Sequence, residues 1–539
     1  MTLHSPAQWL LRLALVLAVS ICSMTAHADM QDDIRTLTGV LFHINARYVD
    51  TVDVDALTEA AVRAMLKELD PHSTYLTPAE TRQMREGLDG GFEGIGVSYQ
   101  MVEDTLLVIK TIAGGPSERA GILPCDQIVQ CGDSTIAGCH LSIDDIKRRL
   151  RGPLGSEVRL GVKRQGEPDL LWFDIVRDKI PVLSIDTYYM ATPTVGYICI
   201  ERFGQTTAEE LSAAMEALTA LGMEDVIIDL QGNGGGYLGS AVDMASVFLP
   251  SNKTVVYTQG RSETRHEYIT RNFSNNFTGR VVVLIDEQSA SASEIFSGCM
   301  QDLDRGVIVG RRSFGKGLVQ RPIELPNGGL IRLTVSHYYT PSGRCIQKPY
   351  TKGDQQSYQQ DIANRLRHGE LQSADSIRVA DSLRYTTHNG RTVYGGGGII
   401  PDVFVPYDST RLTPAHRAVI SHSSINKYTI RYFRQNQAFL HMQFPSLEDF
   451  LDEESGFDLS DEIVQGVIDQ AKSDSVTTEG LDSLIHNDLF RLQVLAFIAN
   501  NLYDTGSYRQ VMNQSSAVVS EALAVLADDR RYRTLLGIQ

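Results

Sequence analysis

Apolar positions at Ile34, Leu37, Val40, Leu41 and Ile44 recur at the three-to-four-residue spacing of one helix face. A second such run from Val54 to Leu69 stops at Asp70-Pro-His-Ser, whose proline and short polar residues favour a turn. From about residue 89 the period shortens to two. Val97 to Met101 and Thr105 to Ile112 flank Glu103-Asp104 as a hairpin, and Ser142 to Leu150 reads as a short helix. Glu157 to Lys163 turns Val158, Leu160 and Val162 to one face and charged residues to the other. Strands then alternate with helices: Gly196–Ile200, Glu209–Leu221, Val226–Leu230, Val281–Ile285 running into a helix from Glu294, and Gly306–Val309. That alternation predicts an α/β architecture. Beyond about 407 the pattern is mostly helical, with acidic linkers such as 448–455.

These changes of texture divide the chain into a leader at 1–28, a helical region at 29–88, a β-rich module at 89–178, an α/β core at 179–406 and a helical extension at 407–539. Residues 351–393, rich in Gln, Asp, Ser and Arg, read as an insertion in the core with a short helix near Ser373 to Leu383. The leader has an apolar stretch from Leu13 to Ile21 and a small-x-small site, Ala26-His-Ala28, which predicts export with cleavage before Asp29. Its positive end is weak, so an uncleaved anchor is the competing reading; Ile21 before Cys22 is too bulky for lipidation.

The net charge is −17, and removal of 1–28, whose one charged side chain is Arg12, makes it −18. An acidic chain without a polybasic run gives no support to nucleic-acid or anionic-membrane binding. Cys125, Cys131, Cys139, Cys199, Cys299 and Cys345 remain after cleavage, and none shows C-x-x-C spacing. Buried free thiols are the expectation, with disulfides permitted in an exported chain. No stretch after the leader approaches 18 apolar residues.

Candidate chemistry sits at two turns. Ser289-Ala-Ser-Ala-Ser-Glu294 joins a buried strand to a helix start, where a serine hydroxyl lies beside unpaired backbone N–H groups that suit an oxyanion. Lys316 stands 25 residues after Ser291, between Gly315 and Gly317 and beside Phe314, Leu318 and Val319. Burial there would lower its pKa from about 10.4 toward 7 to 8, the range of a general base. Alone, each turn has a plainer reading, as an N-cap and as a solvated loop. Gly310 to Lys316 imitates a phosphate loop but has Gly317 where a hydroxyl should ligate Mg²⁺, and Gly234 to Gly239 imitates a dinucleotide fingerprint. The second loop has another use: Gly235 or Gly236 could complete an oxyanion hole with the N–H of Ala292.

Together these segments resemble the C-terminal processing peptidases, or tail-specific proteases, of the Ser-Lys class with an embedded PDZ domain. The likeness runs through Leu69–Leu76, Phe92–Val97, Ala120–Val129, Asp229–Gly236, Ser289–Glu294, Phe314–Gln320, Tyr339–Arg344 and Gly398–Asp402. It implies a crotonase/ClpP-like core carrying a PDZ insertion. It also implies Ser291 as nucleophile, Lys316 as base and Gln320 as the residue orienting the lysine, with Ser289 and Ser293 as rival serines. If 316–320 is extended, Lys316 and Gln320 share a face. The PDZ resemblance implies that Gly94, Ile95, Gly96 and Val97 hold the carboxylate and last apolar side chain of a protein tail. No metal or organic cofactor is expected. The implied partners are protein substrates with apolar C-termini, in a periplasmic setting; an adaptor or regulatory protein and self-association stay open. The family often has arginine where this chain has Gln231, and proline where it has Gly234. A noncatalytic PDZ scaffold on a protease-like fold is the alternative, and an acyl-CoA enzyme on a related core a second.

Overall fold

The computed structural model describes residues 30–88, 91–102, 104–272 and 276–538. The leader at 1–28 and Glu103 of the hairpin turn lie outside the described residues.

The core is a sheet in which Thr187–Met190, Val195–Cys199, Asp225–Asp229, Val281–Ile285, Val307–Gly310 and Val403–Phe404 lie side by side in that order. The first pair is antiparallel and the rest are parallel. Every residue of Val195–Cys199, Asp225–Asp229, Val281–Ile285 and Val307–Gly310 is buried, as a parallel sheet covered on both faces requires. Ile198, Val226, Ile228, Val281, Val283 and Ile285 face helices Thr207–Ala220, Leu238–Phe248 and Ala292–Asp302. Tyr197, Ile227, Val282, Leu284 and Val309 face the other way, onto Val518, Val519, Ala522 and Val525 of helix Ala517–Ala527. The end of the chain thus covers the second face of the core sheet. A second sheet joins Thr74–Leu76, Leu330–Tyr339, Thr254–Gln259 and His266–Ile269, with Leu318–Glu324 also paired to Leu330–Tyr339.

The β-rich module carries strands Val97–Val102, Thr105–Thr111, Gln127–Cys131, Glu157–Lys163 and Leu171–Val176 and helix Ile143–Leu150 around its own apolar core. Val158, Leu160 and Val162 point into that core. The chain enters and leaves through one antiparallel ribbon, Gly91–Gly94 against Asp178–Pro181, so the module hangs from paired strands. Helices Pro414–Ser421, Ser424–Gln443, Asp461–Ser473 and Asp488–Leu502 enclose a further core of their own.

The insertion differs from its sequence expectation. Its α-helices are Gln355–Gln359 and Asp361–Arg367, whereas 373–383 holds only short 3₁₀ turns at Ala374–Ser376 and Asp381–Leu383. Asp354 caps the first helix by accepting from the Ser357 N–H, while Ser373 takes the Asp375 N–H into a local turn that competes with helix.

One buried ion pair fastens the loop after Leu330–Tyr339 to the core: Arg344 and Asp302, both without exposed side-chain surface, meet at 2.7 Å. Arg344 also donates to Gln301 Oε1 at 2.7 Å. Arg344→Met leaves the Asp302 carboxylate buried without its cation. We expect a loss of about 3–5 kcal/mol, read as a lower midpoint in urea unfolding.

Candidate active site

Ser291 occupies the sharp turn between Val281–Ile285 and Ala292–Asp302 with φ +58° and ψ −113°. A non-glycine residue held there carries about 1–3 kcal/mol of strain, which the surroundings must offset. They do so with neighbouring serines. The buried Ser289 hydroxyl donates to Leu230 O at 2.8 Å, and the buried Ser293 hydroxyl donates to Asn233 O at 2.9 Å. Both rival serines therefore tie this turn to the glycine loop, while Ser291 opens into a cavity of about 260 Å³ lined also by Gly236, Tyr237, Lys316 and Gln320.

The glycine loop narrows the choice of oxyanion donor. Gly235 donates its N–H to Asn233 Oδ1 at 2.8 Å, so the structure removes it as an oxyanion donor. Its role is steric: at φ +98° a Cβ would lie 2.7 Å from Ser291 Cβ and 2.9 Å from Ala292 N. The N–H groups of Gly236 and Ala292 have no partner among the described residues. Ala292 opens the helix, where first-turn N–H groups lack intrahelical acceptors and the dipole favours negative charge. In the sequence Asn233 only broadens the glycine loop; in the structure its side chain also donates to Ile200 O at 2.7 Å and so fixes the loop to the end of Val195–Cys199.

Lys316 lies in the loop before Leu318–Glu324, not within the strand, and a bulge falls between Val319 and Gln320. Simple alternation therefore does not join Lys316 to Gln320. They meet because the loop folds back, with Nζ donating to Gln320 Oε1 at 3.2 Å. That oxygen also accepts from Arg332 at 2.8 Å, and Gln320 Nε2 donates to His72 O. His72 is held by the Asp70 turn, whose buried carboxylate accepts the His72 and Ser73 N–H groups at 2.8 Å and the Thr334 hydroxyl at 3.0 Å. Burial, followed by the positive charge of Arg332, lowers the Lys316 pKa to about 8, against the pull of Glu294 and Asp70. Burial, followed by the charge of Lys316, drops His72 to about 3, so His72 is neutral near pH 7.

Glu294 links the two turns. Its fully buried carboxylate accepts from Ser291 N at 2.9 Å, Lys316 N at 2.8 Å, Gly315 N at 2.7 Å and Ser313 Oγ at 2.5 Å. Burial raises its pKa while these bonds oppose the rise. Tyr338 adds a second link by donating to both Ser291 O and Lys316 O. Arg332, Asp70, Tyr338 and the bracing role of Glu294 were not found in the sequence; the acidic residue three positions into the helix after Ser291 was the available signal for the last.

In the β-rich module a groove of about 500 Å³ is lined by Phe92, Ile95, Gly96, Val97, Tyr99, Leu150 and neighbouring residues. Gly96 has φ +74°, which suits glycine. Gly94 is not part of the groove: it pairs with Asp178 in the entry ribbon, a correction that confines the candidate loop to Ile95, Gly96 and Val97. Among the described residues Val97–Val102 pairs only with Thr105–Thr111, leaving its other edge open beside the groove. Helix Ile143–Leu150 forms the opposite wall, and Lys147 and Arg151 add positive charge that the sequence reading had not assigned to the groove.

Two outcomes follow. Glu294→Gln keeps the shape but loses the charge and one acceptor oxygen, and each charge-assisted bond is worth about 1.5–3 kcal/mol, so thermal denaturation should show a clear drop in midpoint. Any reaction that uses neutral Lys316 should slow about tenfold per pH unit below about 8, because the ammonium holds no free electron pair. Arg332→Met removes the cation that disfavours the ammonium, so the acidic limb of the rate profile should move to higher pH.

Residues 194–357 match the family model of peptidase family S41, and residues 415–504 match a family of unknown function. A probable CtpA-like serine protease of Staphylococcus aureus (strain N315) is 35% identical over 326 residues, which are 60% of this chain and 64% of that protein. The chain thus spans 64% of the length of that curated relative. Among solved structures, a photosystem II D1 C-terminal processing protease is 28% identical over 57% of this chain and 83% of its own, with a TM-score of 0.34. The PDZ domain of a carboxy-terminal protease from Vibrio cholerae, solved with a peptide, is 31% identical over 17% of this chain and 99% of its own, with a TM-score of 0.16. The motifs and the matched region agree: residues 194–357 are similar to peptidase family S41, and over 326 residues the chain is similar to a CtpA-like serine protease.

Proposed function

We propose that this chain is an exported serine endopeptidase that engages protein C-terminal tails through its PDZ-like module and cleaves by Ser-Lys acyl-enzyme chemistry. The observation that carries this reading is the buried Lys316, with a pKa near 8, sharing one cavity with Ser291 at a helix N-terminus. Ser291 Oγ attacks the scissile carbonyl carbon as Lys316 Nζ takes the hydroxyl proton. The tetrahedral oxyanion is received by the N–H groups of Ala292 and Gly236. As the C–N bond breaks, the Lys316 ammonium returns its proton to the leaving amine. Lys316 Nζ then takes a proton from a water whose oxygen attacks the ester carbonyl carbon, and the ammonium returns that proton to Ser291 Oγ as the acyl C–O bond breaks and the acid product leaves. Gln320 orients the lysine through the bond to Nζ.

The tail adds a strand to the open edge of Val97–Val102, places its carboxylate on the N–H groups around Gly96, and buries its last apolar side chain in the groove. The apolar lining of Ile95, Val97 and Leu150 supports that preference, and Lys147 and Arg151 complement an anionic terminus. The leader at 1–28 supports delivery to the periplasm, where the partners are protein substrates. An adaptor and self-association are compatible with this reading.

The test is cleavage of an unfolded protein with an apolar C-terminus, beside the same protein with a charged tail. Ser291→Ala and Lys316→Ala should each lower kcat by about 10³-fold or more. The charged tail should be cut more slowly. Mutants that retain full activity would overturn the assignment.

A further inference from the structure

Of the two helices of the insertion, Gln355–Gln359 straddles the end of the matched family region at 357 and Asp361–Arg367 lies beyond it. They nonetheless reach the loop that carries Lys316. Arg365, 4% exposed, donates through Nη1 to Ser313 O at 2.7 Å and through Nη2 to Phe314 O at 3.0 Å. Asp361 pairs with Arg365 at 2.9 Å and with Lys348 at 3.0 Å, so one carboxylate is shared between two buried cations. The Lys348 ammonium lies 3.8 Å from the centre of the Phe314 ring, and the Tyr358 ring meets Phe314 edge-on at 5.8 Å.

Tyr358 opens a second route to the lysine. Its hydroxyl accepts from Gln347 Nε2 at 3.3 Å and lies 2.7 Å from His72 Nε2. With His72 neutral, one proton lies between Tyr358 Oη and His72 Nε2, and the imidazole tautomer sets which of the two donates. The carbonyl of the same His72 accepts from Gln320, whose Oε1 accepts from Lys316 Nζ. Gln347 closes the circuit, its Oε1 accepting from Gly317 N at 2.8 Å. One route thus fixes the main chain before Lys316, and the other fixes the partner of its ammonium.

Such bracing answers a physical need. A lysine on a flexible four-carbon stem, flanked by two glycines, has much conformational freedom to lose, and a base is effective only when it stays within hydrogen-bond reach. We infer that the insertion helices form a clamp on the base, with Tyr358 and Arg365 as positioning residues for Lys316. This role rests on the reading of Lys316 as the general base.

The experiment uses the full mature chain with Tyr358→Phe, Arg365→Met and Arg365→Lys, beside Lys316→Ala as control. Steady-state kinetics across pH are paired with competitive acetylation of Lys316 by acetic anhydride, which reports its protonation without requiring turnover. Arg332, Glu294, Asp70 and His72 surround Lys316 and are retained in every clamp variant, so a shifted titration reports loosened burial. Tyr358→Phe and Arg365→Met should lower kcat about 10- to 100-fold with KM little changed, as expected for a displaced reacting group. The midpoint for Lys316 should rise above about 8 as water enters, and Arg365→Lys, lacking the two-pronged donor, should recover only part of the loss. Coincident titration curves for wild type and variants overturn the clamp, including where kcat falls with thermal stability alone. Equal activity in wild type and Lys316→Ala overturns the protease reading, while the acetylation curves still decide the clamp.

Discussion

The geometry around Ser291 and Lys316 depends on a carboxylate withheld from water. Placing Glu294 in the interior costs several kcal/mol in lost hydration, and the cost is tolerable because three backbone N–H groups and one hydroxyl converge on it. Those donors belong to two different loops, so the carboxylate sets the distance between the Ser291 turn and the Lys316 turn. Neither loop has a regular ladder to hold it. The strained φ at Ser291 and the soft Gly315-Lys316-Gly317 segment persist because a single acceptor binds both.

The sheet explains why those loops are neighbours. Val281–Ile285 and Val307–Gly310 are adjacent and parallel, and their C-terminal ends deliver Ser291 and Lys316 to the same edge. Asp225–Asp229 adjoins Val281–Ile285 on the other side and delivers the glycine loop. Ligand sites outside the carboxyl ends of parallel strands are a general consequence of this architecture. The second sheet then contributes Gln320, Arg332 and Tyr338 from two paired strands, while the Asp70 turn brings His72 to the far side of Gln320. Pairing of Gly91–Gly94 with Asp178–Pro181 lets the β-rich module be inserted without interrupting this framework.

Much of this was legible in local pattern. The continuous apolar runs, the small-residue turn after Val281–Ile285 and the isolated lysine between glycines each follow from short-range chemistry, and they point to residues that share a cavity. What escaped depends on contacts across the chain. Asn233 withdraws the Gly235 N–H, a distinction invisible in a run of glycines. Arg332 looks like an ordinary strand cation until Leu330–Tyr339 is folded beside Leu318–Glu324. Gly94 and Gly96 look alike in sequence, but only the pairing with Asp178 separates ribbon from groove. In the insertion, helix and turn were exchanged because polar residues without a strong apolar period leave local caps to decide.

Burial is proposed to make Lys316 a base for Ser291. This is tested most directly by treating the mature chain with an activated acyl ester at a series of pH values and locating the acyl mass on the digested protein. A single adduct on Ser291 is expected, formed at a rate that is half-maximal near pH 8 and lost in Lys316→Ala. Acylation elsewhere, or on Ser291 with a midpoint at about 10.4 as for an ordinary exposed lysine, would contradict it.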